Sequence, residues 1–129
     1  MTGSLSPDLV VSDIAKSASF YKAALDLVEE DRVDTPEGPA FFMLGRDGFR
    51  LMLEPIRTQP PEMKALLSEG PRATLTLYLS IEKLDAEIRR LERAGVSFEG
   101  PVTRPYGMKE VSFKDPDGYF WTIGERVGE

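Results

Sequence analysis

The side chains that most often do chemistry near neutral pH are the ones this chain lacks. It contains no histidine and no cysteine. No imidazole or thiolate is therefore available to hold zinc, iron, copper or nickel, to serve as the commonest general base or to attack as a thiol. A metal site would have to be built from carboxylates, carbonyls and water, a donor set suited to magnesium, calcium or manganese. Carboxylate, lysine and tyrosine chemistry stay open. Disulfides are impossible, which fits a reducing compartment.

The elements that must position such groups fit within 129 residues, a length suited to one domain with its own core. No run approaches the roughly 20 apolar residues of a membrane span. Met1 to Pro7 lacks the basic and apolar regions of a signal peptide, so the expected compartment is the cytoplasm. A formal charge of −6 argues against nucleic acid, whose phosphates need a basic patch. The same charge attracts cationic ligands at long range, although solubility alone accounts for it.

Leu9-Val10-Val11 reads as a short strand, closed by Ser12-Asp13, both good helix N-caps. Ile14, Ala18, Tyr21 and Leu25 then fall at helical spacing. An extended segment from Leu27-Val28 ends in a loop marked by Pro36, Gly38 and Pro39. Ala40 to Leu44 and Phe49 to Leu53 read as a hairpin, with Asp47-Gly48 supplying the positive φ. Residues 56–72 read as a connector, in which Pro61 opens a short helix through Leu67.

The order then repeats. Ala73 to Leu79 alternates, with Leu75, Leu77 and Leu79 on one face and Thr74, Thr76 and Tyr78 on the other. Ser80 is the expected cap of a helix that turns Leu84, Ile88 and Leu91 inward and stops at Gly95. Val96 to Phe98 reads as a strand and Gly100 to Gly107 as a loop. Val111 and Phe113 alternate in a further strand. Asp115-Pro116-Asp117-Gly118 suits a type I turn, and Tyr119 to Ile123 returns as the last strand. Each half thus reads strand, helix and about three strands, a duplicated unit rather than a solenoid.

In this order the chain resembles the vicinal oxygen chelate superfamily, which includes glyoxalase I, extradiol dioxygenases, fosfomycin-resistance enzymes and bleomycin-resistance proteins. The matching segments are Leu9 to Asp13 followed by Ser19-Phe20-Tyr21, then Leu91 to Val96, and last Arg104 to Glu110 through Phe113 to Gly118. The resemblance implies an α+β fold in which two βαβββ modules form a curled mixed sheet around a cavity, usually in a homodimer. The modules would span residues about 5–56 and about 73–127 of a single domain, with the connector at about 57–72.

In metal-dependent members the ligands come from the first and last strands of each module. Carried onto this chain, those positions fall at Ser6, Met52, Thr76 and Thr122, none of them histidine or carboxylate. Met52 is a soft thioether unsuited to hard cations. The resemblance therefore implies a metal-free member with no cofactor. Glu54 shares the Met52 face on a regular strand, and Tyr78 shares the Thr76 face. Glutamate at a strand end is more often a solvated surface residue.

Tyr106 stands where bleomycin-resistance proteins carry an aromatic residue in a Pro-aromatic-Gly loop beside their drug crevice, and Phe41 falls near a second stacking aromatic of those proteins. Two such rings around a cation would contribute about 0.5–2 kcal/mol. The competing reading makes both packing residues. Trp121 alternates away from Thr122 and reads as core. Arg104 and Lys109 flank the Tyr106 loop, where charges are usually only solvated. The expected ligand-binding set is Phe41, Met52, Glu54, Thr76, Tyr78, Tyr106 and Thr122, and the expected partner is a small organic molecule, aromatic or cationic and antibiotic-like. The alternative is a divergent lyase or oxidoreductase of the glyoxalase/dioxygenase type with a relocated or lost metal, using Glu54, Tyr78 or Tyr106 for acid–base work.

Overall fold

A computed structural model describes residues 3–67 and 75–128 of the chain. They divide into two compact units, one carrying the first four strands and the other the last four. The first runs β1 (Asp8–Val11), α1 (Ile14–Leu25), β2 (Val28–Thr35), β3 (Gly38–Arg46) and β4 (Phe49–Pro55). A single 3-10 turn at Ile56–Thr58 and a short helix α2 (Pro61–Leu67) follow. The second runs β5 (Thr76–Ile81), α3 (Leu84–Arg93), β6 (Phe98–Thr103), β7 (Met108–Lys114) and β8 (Phe120–Arg126). The fold is α+β, each unit a βαβββ module with one open, mixed, four-stranded sheet.

The strand orders are β1-β4-β3-β2 and β5-β8-β7-β6. In each sheet the first strand pairs in parallel with the last, and the other neighbours run antiparallel. A parallel pair needs a crossover, and here the helix and two further strands supply it. Both sheets therefore place the last strand of the module second in the order.

Side chains alternate between the two faces of a strand, so each sheet has an apolar face and an open one. In the first unit Leu9, Val11, Phe42, Leu44, Leu51 and Leu53 are buried together with Ile14, Ala18 and Tyr21 of α1. Each fully buried leucine stabilises by roughly 1.5–3 kcal/mol relative to exposure. Asp13 caps α1, its Oδ1 accepting from Lys16 N at 3.0 Å. Lys22 of α1 lies over the Phe42 ring, 5.7 Å from its centroid, with Arg32 at 4.8 Å. In the second unit α3 packs on β7 and β8. Leu84 and Leu91 are buried with Val111, Phe113, Trp121 and Ile123. Phe113 and Trp121 stack with centroids 6.3 Å apart, which makes Trp121 a core residue.

The β3–β4 turn takes its left-handed conformation within the expected Asp47-Gly48 pair, on Asp47 at φ 51, which aspartate tolerates through its short polar side chain. Several other elements differ from the sequence expectation. Residues 73 and 74 of the expected fifth strand lie outside the described residues. Ser80 does not cap α3: it pairs with Gly124 in the β5–β8 ladder, and the strand continues to Ile81. Lys83 stands at the N-cap with no side-chain hydrogen bond. The expected loop from Gly100 begins instead as strand, because β6 extends to Thr103. It is an edge strand, where Pro101 costs no ladder bond on its outer side. Gly100, at φ +100, accommodates the irregularity between Glu99 and Val102.

Candidate functional site

The open face of the second sheet follows from register. Trp121 and Ile123 face the core, so Phe120, Thr122, Gly124 and Arg126 face the other way. Thr122 pairs with Tyr78 on one side and Ser112 on the other, and Glu110 pairs with Gly124. Thr76, Tyr78, Glu110, Ser112 and Thr122 therefore share this face.

Glu110 is its centre. It is 6% exposed, yet its carboxylate is well supplied with donors. The Tyr78 hydroxyl donates to Oε2 at 2.6 Å and the Tyr106 hydroxyl donates to the same oxygen at 2.7 Å. Arg104 Nε donates to Oε1 at 3.3 Å. Burial pushes the Glu110 carboxyl up, but the bonds from Tyr78, Tyr106 and Arg104 outweigh it and hold the group below its ordinary value. Tyr78 is pushed up to about 12, first by desolvation and then by its bond to Glu110 and the carboxylate's charge. Tyr106 moves up as well, chiefly through its hydrogen bond to Glu110. Both phenols stay protonated and Glu110 stays ionised across the physiological range. Beside them the hydroxyls of Ser112 and Thr122 share a 2.9 Å hydrogen bond.

Gly124 makes the cluster possible. Tyr78 comes from β5 and Glu110 from β7, with β8 between them. A Cβ on Gly124 would collide with the Tyr78 hydroxyl. The missing side chain is thus what lets this phenol reach across the central strand.

Tyr106 arrives from a tight loop. Gly107, at φ +87, donates to Arg104 O at 3.0 Å, and Arg104 N donates to Met108 O at 2.7 Å. Arg126 Nη1 holds the Tyr106 carbonyl at 2.8 Å, and Val127 N reaches Gly107 O at 2.9 Å. The loop is tied to the chain end, while the rings stay accessible: Tyr78 is 48% exposed and Tyr106 57%.

The first sheet has its own open face. Met43 pairs with Met52, Asp8 with Met52 and Val10 with Glu54, and Phe41 lies two residues before Met43. Phe41, Met43, Met52, Glu54 and Asp8 share that face, opposite buried Phe42, Leu51 and Leu53. Asp8 hydrogen-bonds Glu54, and its pKa rises to about 7 through desolvation, that bond and the Glu54 charge.

The expected residues thus fall into two groups. Thr76, Tyr78, Tyr106 and Thr122 come together in the second unit, and Phe41, Met52 and Glu54 in the first. Ser6 precedes β1. Sequence reasoning missed Glu110, Ser112 and Asp8, and left Arg104 as a solvated charge. The signal for Glu110 was present: with Val111 and Phe113 facing the core, alternation puts Glu110 and Ser112 opposite. Among the described residues, no three histidine, cysteine, aspartate or glutamate side chains are grouped so as to hold a metal ion. Among the same residues, no helix is long and apolar enough to cross a membrane.

Comparison with known proteins places the fold. An uncharacterized protein of Mycobacterium bovis is 32% identical over 128 residues, covering 97% of this chain and 84% of the relative. Two solved structures share the fold. The antibiotic binding protein TnmS3 from Streptomyces sp. CB03234 has a TM-score of 0.75 at 24% identity, covering 98% of each chain. TioX from Micromonospora sp. ML1 has a TM-score of 0.76 at 16% identity, covering 97% of this chain and all of the other, 100%. The model of the Glyoxalase/Bleomycin resistance protein/Dioxygenase superfamily matches residues 4–123. With nearly its whole length matched and both modules in place, the chain belongs to the Glyoxalase/Bleomycin resistance protein/Dioxygenase superfamily.

Proposed function

We propose that this chain is a small-molecule-binding protein that sequesters an aromatic or cationic, antibiotic-like ligand without a metal or other cofactor. The observation that carries the reading is the Tyr78–Glu110–Tyr106 cluster, a buried ionised carboxylate that holds two accessible aromatic rings on an open sheet face. Pockets for organic ligands combine such apolar and aromatic surface with a few fixed polar groups. Thr76 and Thr122 would complete the contacts of this face, and Phe41, Met52 and Glu54 are a separate candidate set on the open face of the first unit. The similarity in fold to TnmS3, an antibiotic binding protein, supports the same class of ligand.

The protein is read as cytoplasmic and as a homodimer, which size-exclusion chromatography with light scattering will check. Calorimetric titration with bleomycin, mitomycin and similar flat or cationic compounds tests the function. Saturable binding at about micromolar Kd supports it. Absence of binding across the set counts against the drug-sequestering reading, and stoichiometric metal on coordinating carboxylates in protein purified without chelator overturns it.

A further inference from the structure

The donor count at Glu110 gives the site a polarity. A tyrosine hydroxyl has one proton to donate and lone pairs to accept with. Tyr78 and Tyr106 both commit that proton to one oxygen, Glu110 Oε2. What each phenol then presents to an arriving molecule is an acceptor, strengthened because its proton leans toward a carboxylate. Among the described residues, Glu110 Oε1 is held by Arg104 Nε alone, at 3.3 Å, from a side chain 48% exposed. Three oxygens with no free proton thus converge beside two accessible rings.

We infer that the Tyr78–Glu110–Tyr106 cluster is an acceptor station that takes the N–H donor end of a planar ligand, a ring-borne amine or amidinium, and disfavours the same ring bearing a carboxylate. The inference rests on the small-molecule-binding reading and narrows it. A ligand cation displaces Arg104 from Oε1 and bonds the phenol oxygens, while its ring lies against Tyr78 or Tyr106. An anion would find the protons of both phenols already spent, and could turn to the remaining N–H groups of Arg104 and Arg126 at the rim or to the one hydroxyl proton that the Ser112–Thr122 pair leaves over.

Three compounds with one ring system test this: 9-aminoacridine, acridine and acridine-9-carboxylate, titrated calorimetrically at about pH 8, where the carboxyl group is ionised. The expected result is that 9-aminoacridine binds at least about tenfold tighter than the other two, with the preference shrinking to about threefold or less in Glu110→Gln. Tyr78→Phe and Tyr106→Phe carry the same test should Glu110→Gln fail to fold. Equal binding of all three compounds, tighter binding of the carboxylate, or a preference unchanged in the variants overturns the acceptor station and leaves small-molecule binding standing. No binding of any of the three overturns flat-ligand binding, and this inference with it. A readout without ligand runs in parallel: ultraviolet titration should show a tyrosine ionising near 12 in the wild type and lower in Glu110→Gln, which removes the carboxylate's bond and charge but leaves the desolvation. An unchanged titration overturns the assignment of the phenol protons to Glu110.

Discussion

The carboxylate of Glu125 accepts a 2.8 Å hydrogen bond from the backbone N–H of Leu84, so the last strand caps a helix that begins 41 positions earlier in the chain. The bond satisfies one of the orphan donors at the start of α3, and a negative charge there also opposes the helix dipole favourably. Glu125→Ala should destabilise the fold by about 1 kcal/mol. Glu125→Gln, which keeps an acceptor, should cost less. Urea denaturation followed by circular dichroism measures both, and equal losses would show that a neutral acceptor contributes nothing and the charge carries the effect.

No residue adjacent to α3 announces that contact. Alternation of Leu77 and Leu79 with Thr76 and Tyr78 was enough to orient β5, and the periodicity of Ile14, Ala18, Tyr21 and Leu25 was enough to place α1. Both are local signals, set by the geometry of one element. The sequence points to Ser80 as the cap of α3 because capping side chains usually stand next to the helix, whereas here register brings Glu125 in from β8. The same holds for Glu110. Its face was readable from Val111 and Phe113, but its partners come from β5 and from the loop before β7. Pairing between distant strands decides them, and no spacing within the chain encodes it. Gly124 is the extreme case, since its role is the room that it leaves for Tyr78.

Asp8 and Glu54 make stability depend on pH in an unusual direction. The folded chain holds a proton on Asp8 up to about pH 7, against an ordinary aspartate value of 3.8. Between those values the folded state binds more protons than the unfolded state. The contribution is therefore full below 3.8, shrinks as pH rises through the window and is lost above about 7. The wild type should lose stability relative to Asp8→Asn on going from acid to neutral pH. Parallel urea titrations of the two proteins across that range check it, and a constant difference would sink the idea.

Asp115 is 5% exposed, and its Oδ1 accepts from both Asp117 N and Tyr119 N at 2.9 Å. The turn that delivers β8 is thus built around one buried carboxylate. Asp115→Ala strands two backbone donors and should cost about 1–3 kcal/mol. Asp115→Asn keeps an acceptor in the same place and should recover part of the loss. Thermal denaturation of the three proteins gives the ranking, and equal melting temperatures would refute it.

Gly124→Ala tests the cluster from beneath. Gly124 lies mid-strand without a left-handed φ, so alanine meets no backbone penalty there. Its methyl group would, however, occupy the space of the Tyr78 hydroxyl, with the Met108 side chain also close at 3.1 Å. The tyrosine is a side chain with an exposed edge and can swing away, so the fold should survive with a loss of about 1–3 kcal/mol. The bond to Glu110 should not survive. The tyrosine that ionises near 12 should then move toward the ordinary value of 10, and binding of 9-aminoacridine should weaken together with it. Retention of the high tyrosine value in a folded Gly124→Ala protein would show that Tyr78 reaches Glu110 by a route that does not depend on the missing side chain.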